Sequence, residues 1–319
     1  MADVLQTAEA LRRTLEKREL TEIEKVIDAY QGRLDVLEGD IAALAHDLME
    51  TPDADLDELD SYRRLERDAE RELDRFAEFL WLELGLAGAA MVGLGLGDAM
   101  RLLGASGMST ARRPSQDVID NLLWYLREGG ELQARIGLFA ETTMDRLRRL
   151  IVSGVQMGKS PREIARWIVE QGFGMGLTDA MRMMRTVQLW SYREATRAGY
   201  LANADVVRGW VWMSALIPGR TCMACVAMHG TIHGLDEVLN DHHNGLCAML
   251  PLVGENPLAV PGPDWFRKLP KRDQVEMMGP GKYAAWKAGV FEIEDMAGEV
   301  ENDVYGLMRV ERSLKELTQ

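Results

Sequence analysis

Between Leu20 and Leu48 the apolar residues fall at Leu20, Ile23, Ile27, Tyr30, Leu34, Leu37, Ile41, Leu44 and Leu48, stepping alternately by three and four. That unbroken alternation lays one apolar stripe along a helix and requires a second helix to cover it. The stripe stops at Thr51–Pro52–Asp53, because proline disfavours helical geometry in the residue before it. A second stripe follows at Leu59, Tyr62, Ala69, Leu73, Phe76 and Leu80, with Glu66 at an interrupted seam position. Two seams joined by a short acidic turn make an antiparallel helical hairpin, with arms of roughly 40 Å at about 1.5 Å per residue. Such a hairpin either shapes the molecule from within or serves as an arm that docks on a partner.

Charge divides the chain near the end of the second stripe. Residues 1–83 hold 24 Asp and Glu against 11 Lys and Arg, so this third carries −13 of the formal −14. The acidic balance excludes a basic groove for duplex nucleic acid as a global feature. With 319 residues, 47% of them apolar, the chain is too long for one core and too apolar to be disordered. Three cysteines cannot all pair, and the first residues lack the apolar run of a signal peptide, so a reducing compartment is expected. The uncharged run from Leu84 to Gly97 spans 14 residues, short of the ~20 that cross a bilayer. Its glycines and alanines suit a buried helix or a close helix–helix contact, with a hinge or insertion segment as the alternative.

The middle of the chain also reads as helical. Ser160–Pro161–Arg162–Glu163 carries a capping serine, proline in the first turn and a glutamate that reaches back. Gly172 is the expected stop of that helix, and Thr178 and Asp179 the expected caps of the next, which reaches about Ala202. Arg182, Arg185, Arg193 and Arg197 on that helix form a solvated basic face or meet phosphates. No phosphate-binding glycine loop is present. The β-branched and aromatic run Val206–Met213 predicts a strand.

All three cysteines (Cys222, Cys225, Cys247) and four of the five histidines (His229, His233, His242, His243) lie between residues 222 and 247. The spacing Cys222-x-x-Cys225 lets a tight turn bring two thiolates to one ion. His243 and Cys247 supply a second pair, and a Cys₃His set suits tetrahedral zinc. His242, His229 or His233 are the alternatives to His243. Two other readings stay open: a reduced, metal-free C-x-x-C among ordinary histidines, and a disulfide from Cys222 or Cys225 to Cys247. Asp241–His242–His243–Asn244 invites comparison with HNH nucleases, yet no histidine follows His243 to complete that ligand set. Neither a deaminase pattern nor H-E-x-x-H occurs.

The block from Arg197 to Pro251 carries W-x-W (Trp210, Trp212), then R-T-C-x-x-C, H-G-T, D-H-H-N-G-x-C and a final proline. It resembles the phage Mu F-like domain of minor head, or head morphogenesis, proteins. Downstream, Trp265 with Leu269–Pro270, then Gln274, Gly279, Trp286 and Gly289 resemble the ending of that family. Upstream, Leu150–Gly158 and the Ser160–Pro161 helix resemble its lead-in. Two positions depart from the pattern: Val187 stands where the family commonly has Glu, and Leu246 where it usually has Arg. Roles at those positions are not carried over.

The resemblance implies an assembly component of the virion, present in host cytoplasm during assembly, and not a catalyst. Its implied partners are the portal protein and the scaffold or major capsid protein. Nucleic-acid contact stays open, and no membrane span is expected, with membrane contact reserved for DNA delivery. The expected fold is mostly α with a small α+β C-terminal module and few short strands. The expected organisation is an acidic hairpin arm (1–83), a glycine-rich helix and connector (84–144), a Mu F-like domain (145–300) and a C-terminal helix or tail (301–319).

Overall fold

The computed structural model describes residues 2–52, 54–124, 126, 131–242, 245, 247–302 and 306–318. The protein is mostly helical, with short antiparallel strands towards the C-terminus, as the sequence predicts. Helices α1 (Ala2–Glu50) and α2 (Asp60–Ala105) form the long hairpin, joined through the single turn Leu56–Glu58. Asp53 of the expected connection lies outside the described residues. There follow α3 (Gln116–Trp124), α4 (Glu131–Gln156), α5 (Pro161–Trp167) and α6 (Gly174–Leu201). Two compact units emerge: Arg18–Gly88 with Leu123–Gln188, and Met1–Lys17, Ala89–Leu122 with Leu189–Gln319.

The first unit is built on the heptad seam. Tyr30, Leu37, Ile41, Leu44 and Leu48 of α1 are buried with Tyr62, Ala69, Leu73, Phe76 and Leu80 of α2. Leu20, at the start of the stripe, is 49% exposed. Glu66 breaks the apolar pattern because it accepts a bond from Arg148 of α4 at 2.6 Å. The hairpin is not free-standing. Ile136, Phe139, Leu147, Ile164, Phe173 and Met184 belong to the same core, so residues 123–188 cover the seam. Tyr30 packs edge-on to Phe76 at 4.7 Å and donates its hydroxyl to the Phe173 carbonyl at 2.9 Å.

The capping box at Ser160 is present: its Oγ accepts from Glu163 N–H, and the Glu163 carboxylate accepts from Ser160 N–H. Gly172 does not stop the helix. Residues Ile168–Phe173 form a π-helical turn that carries α5 into α6, and a Cβ at Gly172 would lie 3.3 Å from Leu147 Cδ1. The glycine is a packing residue there. Thr178 does not cap either; its hydroxyl donates to the Gly174 carbonyl inside α6. Nor do the four arginines form a solvated basic face, since Arg182, Arg185, Arg193 and Arg197 pair with Asp179, Glu19, Asp241 and Glu194.

Helix α2 continues through residue 84, so the charge boundary falls inside one element. In the second unit its glycines meet α6: a Cβ at Gly95 would lie 2.3 Å from the Tyr192 carbonyl, and one at Gly199 2.6 Å from Ala99 Cβ. The apolar stretch of α2 is longer than the uncharged run alone. An 18-residue window of it is apolar enough, by length and composition, to cross a membrane, and 39% of that window is buried inside the protein.

Strand β1 (Trp210–Met213) is flanked by β2 (Ile232–His233) and β3 (Ala248–Pro251), both antiparallel to it. It starts later than Val206, because the Val206 and Val207 N–H groups close a turn onto the Asn203 carbonyl. Alternation along β1 separates two cores. Trp210 and Trp212 pack with Cys225, Leu239, Cys247 and Met249, whereas Val211 and Met213 pack with Val4, Ala8, Leu102 and Leu250. Helix α7 (Met223–Met228) lies between β1 and β2 in sequence. After β3 come α8 (Gly262–Arg267), α9 (Lys271–Met278), α10 (Pro280–Lys287), the hairpin β4 (Ala297–Asn302) and β5 (Gly306–Glu311), and α11 (Leu314–Leu317).

Candidate metal centre

Helix α7 starts at Cys222, whose Sγ accepts the backbone N–H of Cys225 at 3.4 Å. The thiol therefore caps the helix, and the three-residue step brings Cys225 round to the same side. Met223, Val226 and Ala227, also on α7, are buried among Phe266, Met278, Ile293 and Met296. The helices after β3 and the turn before β4 supply that support. Phe266 meets Trp286 edge-on at 5.6 Å, and the buried Gln274 amide donates to the carbonyls of Phe266 and Arg267.

His242 completes the group. Its Nε2 lies 3.1 Å from Cys222 Sγ and 3.3 Å from Cys225 Sγ, and all three donor atoms fall within 4.8 Å of one another. Tetrahedral zinc sites, with Zn–S of ~2.3 Å and Zn–N of ~2.0 Å, separate their donors by roughly 3.5–3.8 Å. Both sulfur–nitrogen distances fall a few tenths of an ångström below that spacing, and the cluster could hold a metal ion. Cys247 touches one member of the group: its Sγ is 3.4 Å from Cys225 Sγ and 3.4 Å from Ser214 Oγ. All three cysteines are free, and 3.4 Å is far beyond the ~2.05 Å of a disulfide.

Among the described histidines, His242 is the one brought to the thiols; His243, the histidine of the expected ligand set, lies outside the described residues. His229 is buried elsewhere, its Nδ1 accepting the Ser214 N–H at 3.0 Å. His233 stacks on Trp210 at 4.3 Å, between the Thr231 hydroxyl and the Glu237 carboxylate. That Thr231–His233–Glu237 strap ties β2 to the turn after it, a pairing that the sequence reading did not anticipate.

Electrostatics at the cluster are uneven. A hydrogen bond from Cys225, aided by His242, pulls the Cys222 thiol down to about 4. Cys225 is pushed strongly upwards by its bonds to Cys222 and Cys247 and by burial. One thiolate is therefore ready at neutral pH, and a cation would release the second proton.

The loop that presents His242 is clamped by Arg193 of α6. The buried guanidinium donates to both oxygens of Asp241 (2.5 and 2.9 Å) and to the carbonyls of Gly245 (2.9 Å) and Cys247 (3.1 Å). The Cys247 N–H adds a bond to Asp241 at 3.2 Å. A Cβ at Gly245 would sit 2.1 Å from the Asp241 carboxylate, so only glycine fits. Nothing in the spacing of Arg193 to this loop could have signalled the pair; the two residues are 48 positions apart. Searches against protein-family models, curated proteins and solved structures return no match to the chain.

Proposed function

We propose that this protein is a minor head component of a phage capsid, a portal-associated morphogenesis protein whose C-terminal module is locked by one zinc ion. The observation that carries the reading is the convergence of Cys222, Cys225 and His242 inside the block that resembles the Mu F-like domain. Thiolate and imidazole donors suit zinc, which prefers sulfur and nitrogen and brings no redox chemistry. Cys247, one sulfur away, is the nearest candidate for a fourth protein ligand. The architecture supports a scaffold over a nuclease. Both Asp241 oxygens are engaged by Arg193, and His242 Nε2 faces sulfur, so neither is placed to activate water.

The test uses the full-length chain and the portal protein of the same genome. The expected result is co-purification, with about one zinc per chain that is lost on Cys222→Ser with Cys225→Ser. Absence of portal binding would overturn the head assignment. A zinc-free preparation that melts at the same temperature with and without chelator would overturn the clip. Cleavage of DNA in divalent metal would favour the nuclease alternative.

A further inference from the structure

A cavity of about 110 Å³ opens beside the thiol–imidazole cluster. At about 30 Å³ per water it has room for three or four waters, the scale of one tetrahedral oxyanion. Arg12 of α1, Arg220, Ser214 and Thr221 form its donor-bearing side, and all three cysteines and His242 form the other. Arg12 is 14% exposed, and its Nε is buried with no hydrogen-bond partner among the described residues. That N–H is shut off from water and faces packed protein, so Arg12 joins the cavity lining through the rest of its side chain. Arg220 reaches the same cavity from the loop before α7, with its side chain 67% exposed.

Among the described residues Glu16 pairs with both guanidiniums, 3.3 Å from Arg220 and 4.0 Å from Arg12. Two guanidiniums share one carboxylate, so with the Cys222 and Cys225 thiolates neutralised by the metal of the proposed clip a net positive charge remains at the cavity. Thr221 Oγ1 accepts the Ile217 N–H at 2.9 Å, so its own proton is left to donate. Guanidinium forks match tetrahedral oxyanions in geometry as well as in charge.

We propose that this cavity binds one small oxyanion of the phosphate class, held by Arg12, Arg220 and Thr221 beside the Cys/His cluster. The site stands on the arginines and the cavity, not on the identity of the metal. A free phosphate ion and the phosphoryl end of a larger molecule offer the same chemistry.

Calorimetric titration of the full-length protein with inorganic phosphate and, in parallel, phenyl phosphate tests it. Saturable binding of either is expected; preference for phenyl phosphate identifies a phosphoryl end, and preference for the free ion identifies an anion pocket. Arg220→Gln, an exposed change, should weaken binding about tenfold, the scale of one charge-assisted hydrogen bond. Glu16→Gln should strengthen it, because it frees both guanidiniums. Opposite signs in the two variants, with unchanged circular dichroism and zinc content, support the site. No saturable binding, or affinity that neither variant moves, overturns it, and zinc content read on the same samples keeps that failure separate from failure of the metal reading.

Discussion

His229 shows how much a single buried ring contributes to this module. Its Nδ1 accepts the Ser214 N–H, and burial pulls its pKa down from 6.5 to about 4. The folded state favours the neutral ring, whereas the unfolded chain takes up a proton below about 6.5. Stability from this group is therefore present above pH 6.5 and falls as pH drops from there towards 4. The loss between pH 7.5 and pH 5 amounts to about 2 kcal/mol. Denaturant titrations at both pH values should show this drop in the native protein. His229→Asn, which keeps an acceptor near the Nδ1 position, should show a smaller one. An equal drop in both would remove His229 as its source. At this scale, sequence identified the thiols but left the histidine open. His242 and His243 are neighbours, and spacing cannot say which of two adjacent rings turns towards a given point.

The long helices were readable because their signal is local. The seam of α1, the capping box at Ser160 and the small residues of α2 each depend on positions within one or two turns. The π-helical turn at Ile168–Phe173 was not readable. Gly172 has the composition of a stop, and only its packing on Leu147 shows why the chain continues. Glycines of α2 separate into two kinds by the same criterion. Gly95 faces the backbone of α6, whereas Gly93 is exposed with nothing within 4 Å of an added Cβ. Gly95→Ala should destabilise by about 1–3 kcal/mol, the cost of overpacking, because the Tyr192 carbonyl cannot yield without moving α6. Gly93→Ala should stabilise by up to ~1 kcal/mol, the difference in helix propensity. Thermal melts of the two variants check both signs. Equal effects would mean that α2 and α6 do not approach closely.

At the scale of the whole molecule, the acidic hairpin is one half of a core. Residues 18–88 and 123–188 bury a common set that includes Phe76, Phe139, Phe173 and Met184. The first residues of α1 serve the other unit, where Val4 and Ala8 pack with Val211 and Leu250. Deleting residues 1–83 should thus leave a chain that aggregates or lacks a cooperative unfolding transition, measured by size-exclusion chromatography and circular dichroism. A monomeric, cooperatively folding remainder would show that the hairpin is dispensable for the core. For the same reason, portal docking on the hairpin is better mapped by exchanging exposed acidic residues, which leaves the seam intact. Charge composition placed a boundary near residues 84–110, and the two compact units divide between Gly88 and Ala89, inside α2, which runs on unbroken.

Sequence by itself determined the heptad register, the hairpin, the mostly helical class with its late strands, and the place in the chain where thiols and imidazoles gather. Each of these is a short-range property, legible from spacing over a few turns. Tertiary structure alone decided that His242 joins Cys222 and Cys225, that Arg193 clamps Asp241, and that Arg12 and Arg220 stand over one cavity. Those partners come from elements far apart in sequence, and no local periodicity carries information about which distant faces the packed core brings together.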